Sequence, residues 1–207
     1  LDGGQTRRGV LLRSDTPQEL TPTDVARLRS EFGLRTVLDL RAREEVQAEG
    51  RGLLAHEPVE YHNLSFLAGR WVMPSDPSYL QLVRGRATQD RVQHYLDYLR
   101  LAGDQVVRAV QLIATEDSGP TLFHCAAGKD RTGVLAALVL SLVGVERDVV
   151  IDDYVATNER IHRVQARLAR LPSYDRGLDT KTDLDQLRVR PDVMAGFLAG
   201  VDEIWGG

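Results

Sequence analysis

The sequence predicts an α/β fold, a mostly parallel central sheet flanked by helices, and three observations predict it. Short runs at 10–12, 35–40, 59–64 and 121–124, apolar except for the mixed 59–64, read as strands, with 35–40 buried. Between them, apolar residues recur at helical spacing. The two kinds of segment alternate along the chain, as in layered folds whose crossovers are helices.

The elements follow in order. Val10, Leu11 and Leu12 form a short first strand. Thr21 is placed as an N-cap, with Pro22 at the first helical position and Asp24 in the first turn. Val25, Leu28 and Phe32 then make a helical stripe, which Gly33 ends. The run 35–40 is a buried strand that carries Asp39 and Arg41 to its C-terminal end, and 59–64 is another strand. Residues 65–78, with Gly69, Pro74 and Pro77, read as irregular. Val92, Leu96, Leu99, Val106, Val110 and Ile113 predict a long helix, bent or broken near Gly103. Gly119 and Pro120 stop it ahead of the strand 121–124. Helices are expected over 131–143, 147–158 and 159–171, the last with an apolar stripe of Ile161, Val164, Leu168 and Leu171. Residues 172–190 read as a polar loop, and 191–204 as a closing helix. The whole of 1–207 reads as one domain.

Composition narrows the functional classes. A net charge of -4 gives no general attraction to nucleic acid. One cysteine cannot form an internal disulfide, so the fold needs no oxidising compartment; a cytoplasmic location is expected, with export left open. The apolar run 134–145 is shorter than the roughly 20 residues a membrane span needs. Only two lysines occur, Lys129 and Lys181, among many arginines.

The most informative stretch is His124-Cys125-Ala126-Ala127-Gly128-Lys129-Asp130-Arg131-Thr132-Gly133. It leads from a strand into an apolar helix, so several backbone N–H dipoles converge near Cys125 and favour its thiolate, the nucleophilic form. The hydroxyl of Thr132 is placed to donate to the same sulfur. Five residues separate Cys125 from Arg131, enough for Ala126, Ala127, Gly128, Lys129 and Asp130 to curl into a nest of N–H donors around an anion. Arg131 closes that nest with a planar fork suited to two phosphoryl oxygens. His124 reads as an organiser of the loop. The chemistry expected is in-line attack of sulfur on phosphorus, protonation of the leaving oxygen by a general acid, then hydrolysis of the cysteinyl-phosphate. It requires no cofactor and no metal, and His56, His62, His94 and His162 show no metal-ligand spacing.

This loop resembles the active-site loop of the cysteine-dependent protein tyrosine phosphatase superfamily, with the loop lying between a central strand and a buried helix. Four features narrow the resemblance to the PtpB-type bacterial tyrosine phosphatases. They are Lys129-Asp130 inside the loop, Asp39-Leu40-Arg41 at a strand end, Arg13-Ser14-Asp15 near the start, and the Tyr154 to Asn158 stretch. The resemblance covers most of 8–160. It implies activity on phosphotyrosine, often with phosphoserine, phosphothreonine and phosphoinositides. It carries the nucleophile role onto Cys125 and the phosphate clamp onto Arg131. It also relates 160–207 loosely to a helical lid.

The general acid stays open at this stage. The resemblance favours Asp130; Asp39 and Asp76 are the alternatives, with Asp39 also readable as a partner of Arg41 or a support for Arg131. Lys129 is a candidate for a second phosphate of a phosphoinositide head group, or else a rim residue. Arg160, Arg163, Arg167 and Arg170 recur beside the apolar stripe. They read as a solvated face or as a peripheral contact with anionic membrane or phosphoprotein, weakened by salt. The expected partners are therefore a phosphorylated protein or a phosphoinositide, with no nucleic acid.

Overall fold

The computed structural model describes residues 4–67, 88–115, 119–171 and 184–206. Four strands form one all-parallel sheet in the order β1-β4-β2-β3. They are β1 (Leu11–Ser14), β2 (Thr36–Asp39), β3 (Glu60–Asn63) and β4 (Thr121–His124). Each overlaps a stretch that the sequence marks as a strand. The register sets Ser14, His124, Asp39 and Asn63 level across the sheet. All four strands therefore end on one edge, where open parallel sheets bind ligands.

The sheet is covered on both faces because adjacent side chains along a strand point in opposite directions. Val37 and Leu122 face α1 (Pro22–Ser30) and the short 3-10 turn Gly52–His56, packing with Val25, Leu34 and Leu54. Leu38 and Phe123 face the other way, into the larger core. That core is closed by α3 (Thr88–Ala114), α4 (Asp130–Leu142), α5 (Arg147–Val155) and α8 (Pro191–Trp205). Helix α4 is buried from Arg131 to Ala137, consistent with its almost unbroken apolar sequence.

Local chemistry explains most boundaries. Thr21 caps α1 by accepting from the Asp24 N–H, and the Asp24 carboxylate accepts from the Thr21 N–H, a capping box. The bend expected near Gly103 lies one residue earlier: Ala102 has non-helical dihedrals inside α3. The helix expected over 159–171 is a 3-10 turn, Ala156–Arg160, followed by α6 (Ile161–Leu168). Two short helices were not expected, α2 (Arg43–Glu49) and α7 (Leu184–Leu187). No described helix is long and apolar enough to cross a membrane.

Candidate active site

The loop 125–129 joins the end of β4 to the start of α4. It is bound by its backbone carbonyls. The Cys125 carbonyl accepts from His124 Nδ1 at 3.2 Å. The Ala126 carbonyl accepts from the Thr16 N–H at 3.2 Å and from Arg167 Nη2 at 2.8 Å. The Gly128 carbonyl accepts from Arg13 Nη2 at 3.2 Å. Gly128 has φ 67°, and a Cβ there would lie 2.6 Å from the Asp15 nitrogen and 2.7 Å from the Ser14 oxygen. Only glycine lets the loop turn this tightly against the end of β1. Cys125 is buried, 1% exposed.

Arg131 is held from behind by a residue that sequence reasoning missed. Glu45, fully buried on α2, accepts from Nη1 at 2.6 Å and Nη2 at 3.1 Å, and the Leu40 carbonyl accepts from Nη1 at 3.4 Å. Glu45 also accepts from the Ala42 N–H at 2.8 Å, which fixes it at the first turn of α2. A bidentate carboxylate fixes the plane of the guanidinium as well as its place.

Asp39, one of the alternatives for the general acid, lies in a buried ion pair. Its carboxylate accepts a fork from Arg41, with Nε to Oδ1 at 2.9 Å and Nη2 to Oδ2 at 2.7 Å. The Tyr61 hydroxyl donates to it at 2.9 Å, and His124 Nε2 lies 3.7 Å away. Burial works against its charge, but His124 and Arg41 outweigh burial and hold the carboxyl down at about 2. Burial pushes His124 down as well, so the Arg41 fork is the standing counter-ion at neutral pH. A carboxylate so paired has no proton to give. Asp39 is a brace under the loop, the Arg41 pairing that the sequence had allowed.

Asp130 lies at the first turn of α4, with its side chain about a third exposed (36%). The Tyr95 hydroxyl donates to its Oδ1 at 2.6 Å, and the Tyr154 hydroxyl lies 2.8 Å from that of Tyr95. With its one hydrogen on Asp130, Tyr95 accepts from Tyr154. Burial raises the Asp130 carboxyl, yet Lys129 and the Tyr95 hydroxyl bring it below its ordinary value. Gly133 leaves room for Tyr154, since a Cβ there would sit 2.8 Å from its ring. The other ends of the Tyr154 to Asn158 stretch are also used. Thr157 Oγ1 accepts from Arg13, and Asn158 exchanges two hydrogen bonds with the Val189 backbone, each 2.9 Å.

Three further expectations change. Thr132 Oγ1 is buried with no partner among the described residues, so the hydrogen bond expected to the Cys125 sulfur is not formed. Lys129 is no open rim cation: Nζ donates to the Leu187 carbonyl at 2.9 Å and lies 3.9 Å from Asp130. The arginine face divides. Arg167 turns inward onto the loop and onto Asp15, and Arg170 pairs with Glu19, while Arg160 and Arg163 remain exposed. The signal for Arg167 was present, because Val164, Arg167, Leu168 and Leu171 follow the i, i+3, i+4, i+7 pattern of a buried stripe. Asp76 lies outside the described residues.

A family model described as "Tyrosine phosphatase family" matches residues 1–207. The triple specificity protein phosphatase PtpB of Mycobacterium tuberculosis is 30% identical over 233 residues, covering 97% of this chain and 83% of that one. A putative tyrosine-protein phosphatase of Cupriavidus necator is 31% identical over 211 residues, covering 99% and 73%. A tyrosine-protein phosphatase of Nostoc commune is 32% identical over 124 residues, covering 59% and 40%.

Proposed function

We infer that this chain, which belongs to the tyrosine phosphatase family of cysteine-dependent phosphatases, hydrolyses phosphate monoesters through a cysteinyl-phosphate on Cys125. One observation carries the reading: the sole cysteine opens a loop whose carbonyls are turned to outside donors, directly before an arginine clamped by Glu45. The loop amides and Arg131 bind the phosphoryl oxygens, where charge is spread in the transition state. The Cys125 thiolate attacks phosphorus as the P–O ester bond breaks. Asp130 gives its proton to the leaving oxygen. Water then attacks phosphorus and passes a proton to the Asp130 carboxylate; the S–P bond breaks and returns the thiolate.

Asp130 fits the acid role better than Asp39 because it is partly exposed and its carboxylate accepts from the Tyr95 hydroxyl rather than from a buried guanidinium fork. A bound phosphate dianion beside it pushes the carboxyl back up, towards the protonated form that the first step uses.

The substrate class is phosphotyrosine, with phosphoserine, phosphothreonine and phosphoinositide as a wider range. The relative named for triple specificity supports that range. A phosphoinositide role for Lys129 requires its ammonium to leave the Leu187 carbonyl. A peripheral contact with anionic membrane would rest on Arg160 and Arg163, since Arg167 and Arg170 are engaged elsewhere. Phosphate release from matched phosphotyrosine, phosphoserine and phosphoinositide substrates tests the assignment. Release from phosphotyrosine is expected to dominate and to vanish in Cys125→Ser. Turnover that survives this substitution removes the mechanism, and release from phosphotyrosine alone removes the lipid role of Lys129.

A further inference from the structure

Two arginines outside the predicted phosphate clamp touch the loop, and both guanidinium groups reach its backbone carbonyls rather than its side chains. Arg167, on α6, is 92% buried by side chain (8% exposed) and reaches the loop from the C-terminal part of the chain. Its Nη2 donates to the Ala126 carbonyl while its Nε donates to Asp15 at 3.1 Å. Arg13, in β1, donates through Nη2 to the Gly128 carbonyl, with Thr157 Oγ1 3.4 Å from the same nitrogen, and pairs through Nη1 with Asp153. Each guanidinium is thus oriented by a carboxylate on one side and grips one loop carbonyl on the other.

A trans peptide unit points its C=O and its N–H in opposite directions. The described chain has no cis peptide bond. A carbonyl drawn outward therefore turns the following N–H the other way. Arg167 and the Thr16 N–H draw out the Ala126 carbonyl, which turns the Ala127 N–H inward. Arg13 draws out the Gly128 carbonyl, which turns the Lys129 N–H inward. Loop carbonyls left to themselves would be repelled by a phosphate, so their direction decides whether the loop attracts or rejects the anion.

We infer that Arg13 and Arg167 are positioning residues: by holding the Gly128 and Ala126 carbonyls outward, they aim the Lys129 and Ala127 N–H groups at the substrate phosphate. The inference rests on the loop being a phosphate cradle, as proposed above. It goes beyond that reading by giving two remote arginines separate, residue-specific tasks. Their preorganisation removes a reorientation cost that the loop would otherwise meet on binding. Arg170, three residues after Arg167, serves as the contrast, exposed and paired with Glu19.

The test is a titration of the reduced protein with inorganic phosphate, followed by amide NMR. In the native chain, the Ala127 and Lys129 amide protons are expected to move downfield together as phosphate binds. Arg167→Met is expected to abolish the Ala127 response and keep that of Lys129. Arg13→Met is expected to do the reverse. Each weakens phosphate binding by at least about tenfold, the worth of a hydrogen bond to a charged group. Arg170→Met leaves both responses and the affinity unchanged. Where a Met variant does not fold, the Lys variant replaces it; it keeps the charge but lacks the planar fork, and loses the same amide response. Native amides that do not respond to phosphate overturn the cradle reading itself. Native amides that respond, with variants that respond equally or lose both signals alike, overturn this inference and leave the cradle standing.

Discussion

The phosphate loop is held differently on its two sides. Beneath it, towards β2 and α2, the contacts are buried charges: Asp39 with Arg41, and Glu45 with Arg131, the two carboxylates and Arg41 fully buried. Over it, towards α6 and α7, the contacts are apolar apart from Arg167, whose guanidinium holds the Ala126 carbonyl. Val164, Leu168, Leu171 and Leu187 pack on Ala126 and Ala127, with Lys129 reaching one α7 carbonyl. Buried ion pairs contribute little net stability when intact, yet losing one partner leaves a charge without water or counter-ion. They fix geometry rather than add to the core. Apolar contacts are graded and separable. The lower side and Arg167 therefore fix the geometry of the loop, and the apolar contacts above it can be altered without destroying it.

Breaking the lower side should have the largest effect. Glu45→Ala strands the Arg131 guanidinium in a buried site and removes the acceptor of the Ala42 N–H. A loss of about 3–5 kcal/mol in urea unfolding is expected, with phosphate binding lost alongside it. A variant with native stability and native phosphate affinity would show that Arg131 does not depend on this clamp.

Acid sharpens the comparison next. The Asp39 carboxyl, at about 2 in the folded chain, lies below its ordinary value of 3.8. A lowered folded value means stability present above about pH 4 and lost as pH falls towards 2. The shift corresponds to roughly 2 kcal/mol. Between pH 5 and pH 2, the wild-type chain is expected to lose roughly 2 kcal/mol more than Asp39→Asn. Equal losses would mean that the pair with Arg41 adds no pH-linked stability.

Tyr95→Phe probes the boundary between the two sides. It removes the hydroxyl that stabilises the Asp130 carboxylate, so the proton affinity of Asp130 rises. The basic limb of the kcat profile should move to higher pH, by an amount that water limits because the carboxylate is exposed by a third. An unmoved limb would take the general-acid role away from Asp130.

The smallest effect is expected above the loop. Lys129→Met breaks the bond to the Leu187 carbonyl. Unfolding stability should change by under about 1 kcal/mol, while amide exchange in Leu184–Leu187 becomes faster. A loss as large as that of Glu45→Ala would erase the difference between the two sides.

Much of the lower side was legible because its residues are local. Strand β4, the loop and α4 are continuous in sequence, and their apolar runs, glycines and cation announce one another. Asp39 and Arg41 were visible at a strand end, and the pairing between them is one of the readings that the sequence allowed. Glu45 was not visible. Helix α2 has a single apolar residue other than alanine, Val46, and its bond to Arg131 crosses 86 residues of chain. Arg167 groups with the arginine stripe in the sequence, although its spacing also fits the apolar stripe on the same helix, and the fold turns it inward with the latter. Tyr95 fell on the buried face of α3, three residues from Val92, where an aromatic ring reads as core and its hydroxyl gives no sign of Asp130.

The central claim is that this braced loop works through sulfur, and trapping the intermediate tests it most directly. The protein is mixed with an aryl phosphate, quenched within the first turnover and digested for mass spectrometry. The account predicts one phosphoryl group on the peptide that holds Cys125, absent from Cys125→Ser. A phosphoryl group on another residue, or turnover with no trapped phosphoenzyme, would contradict it.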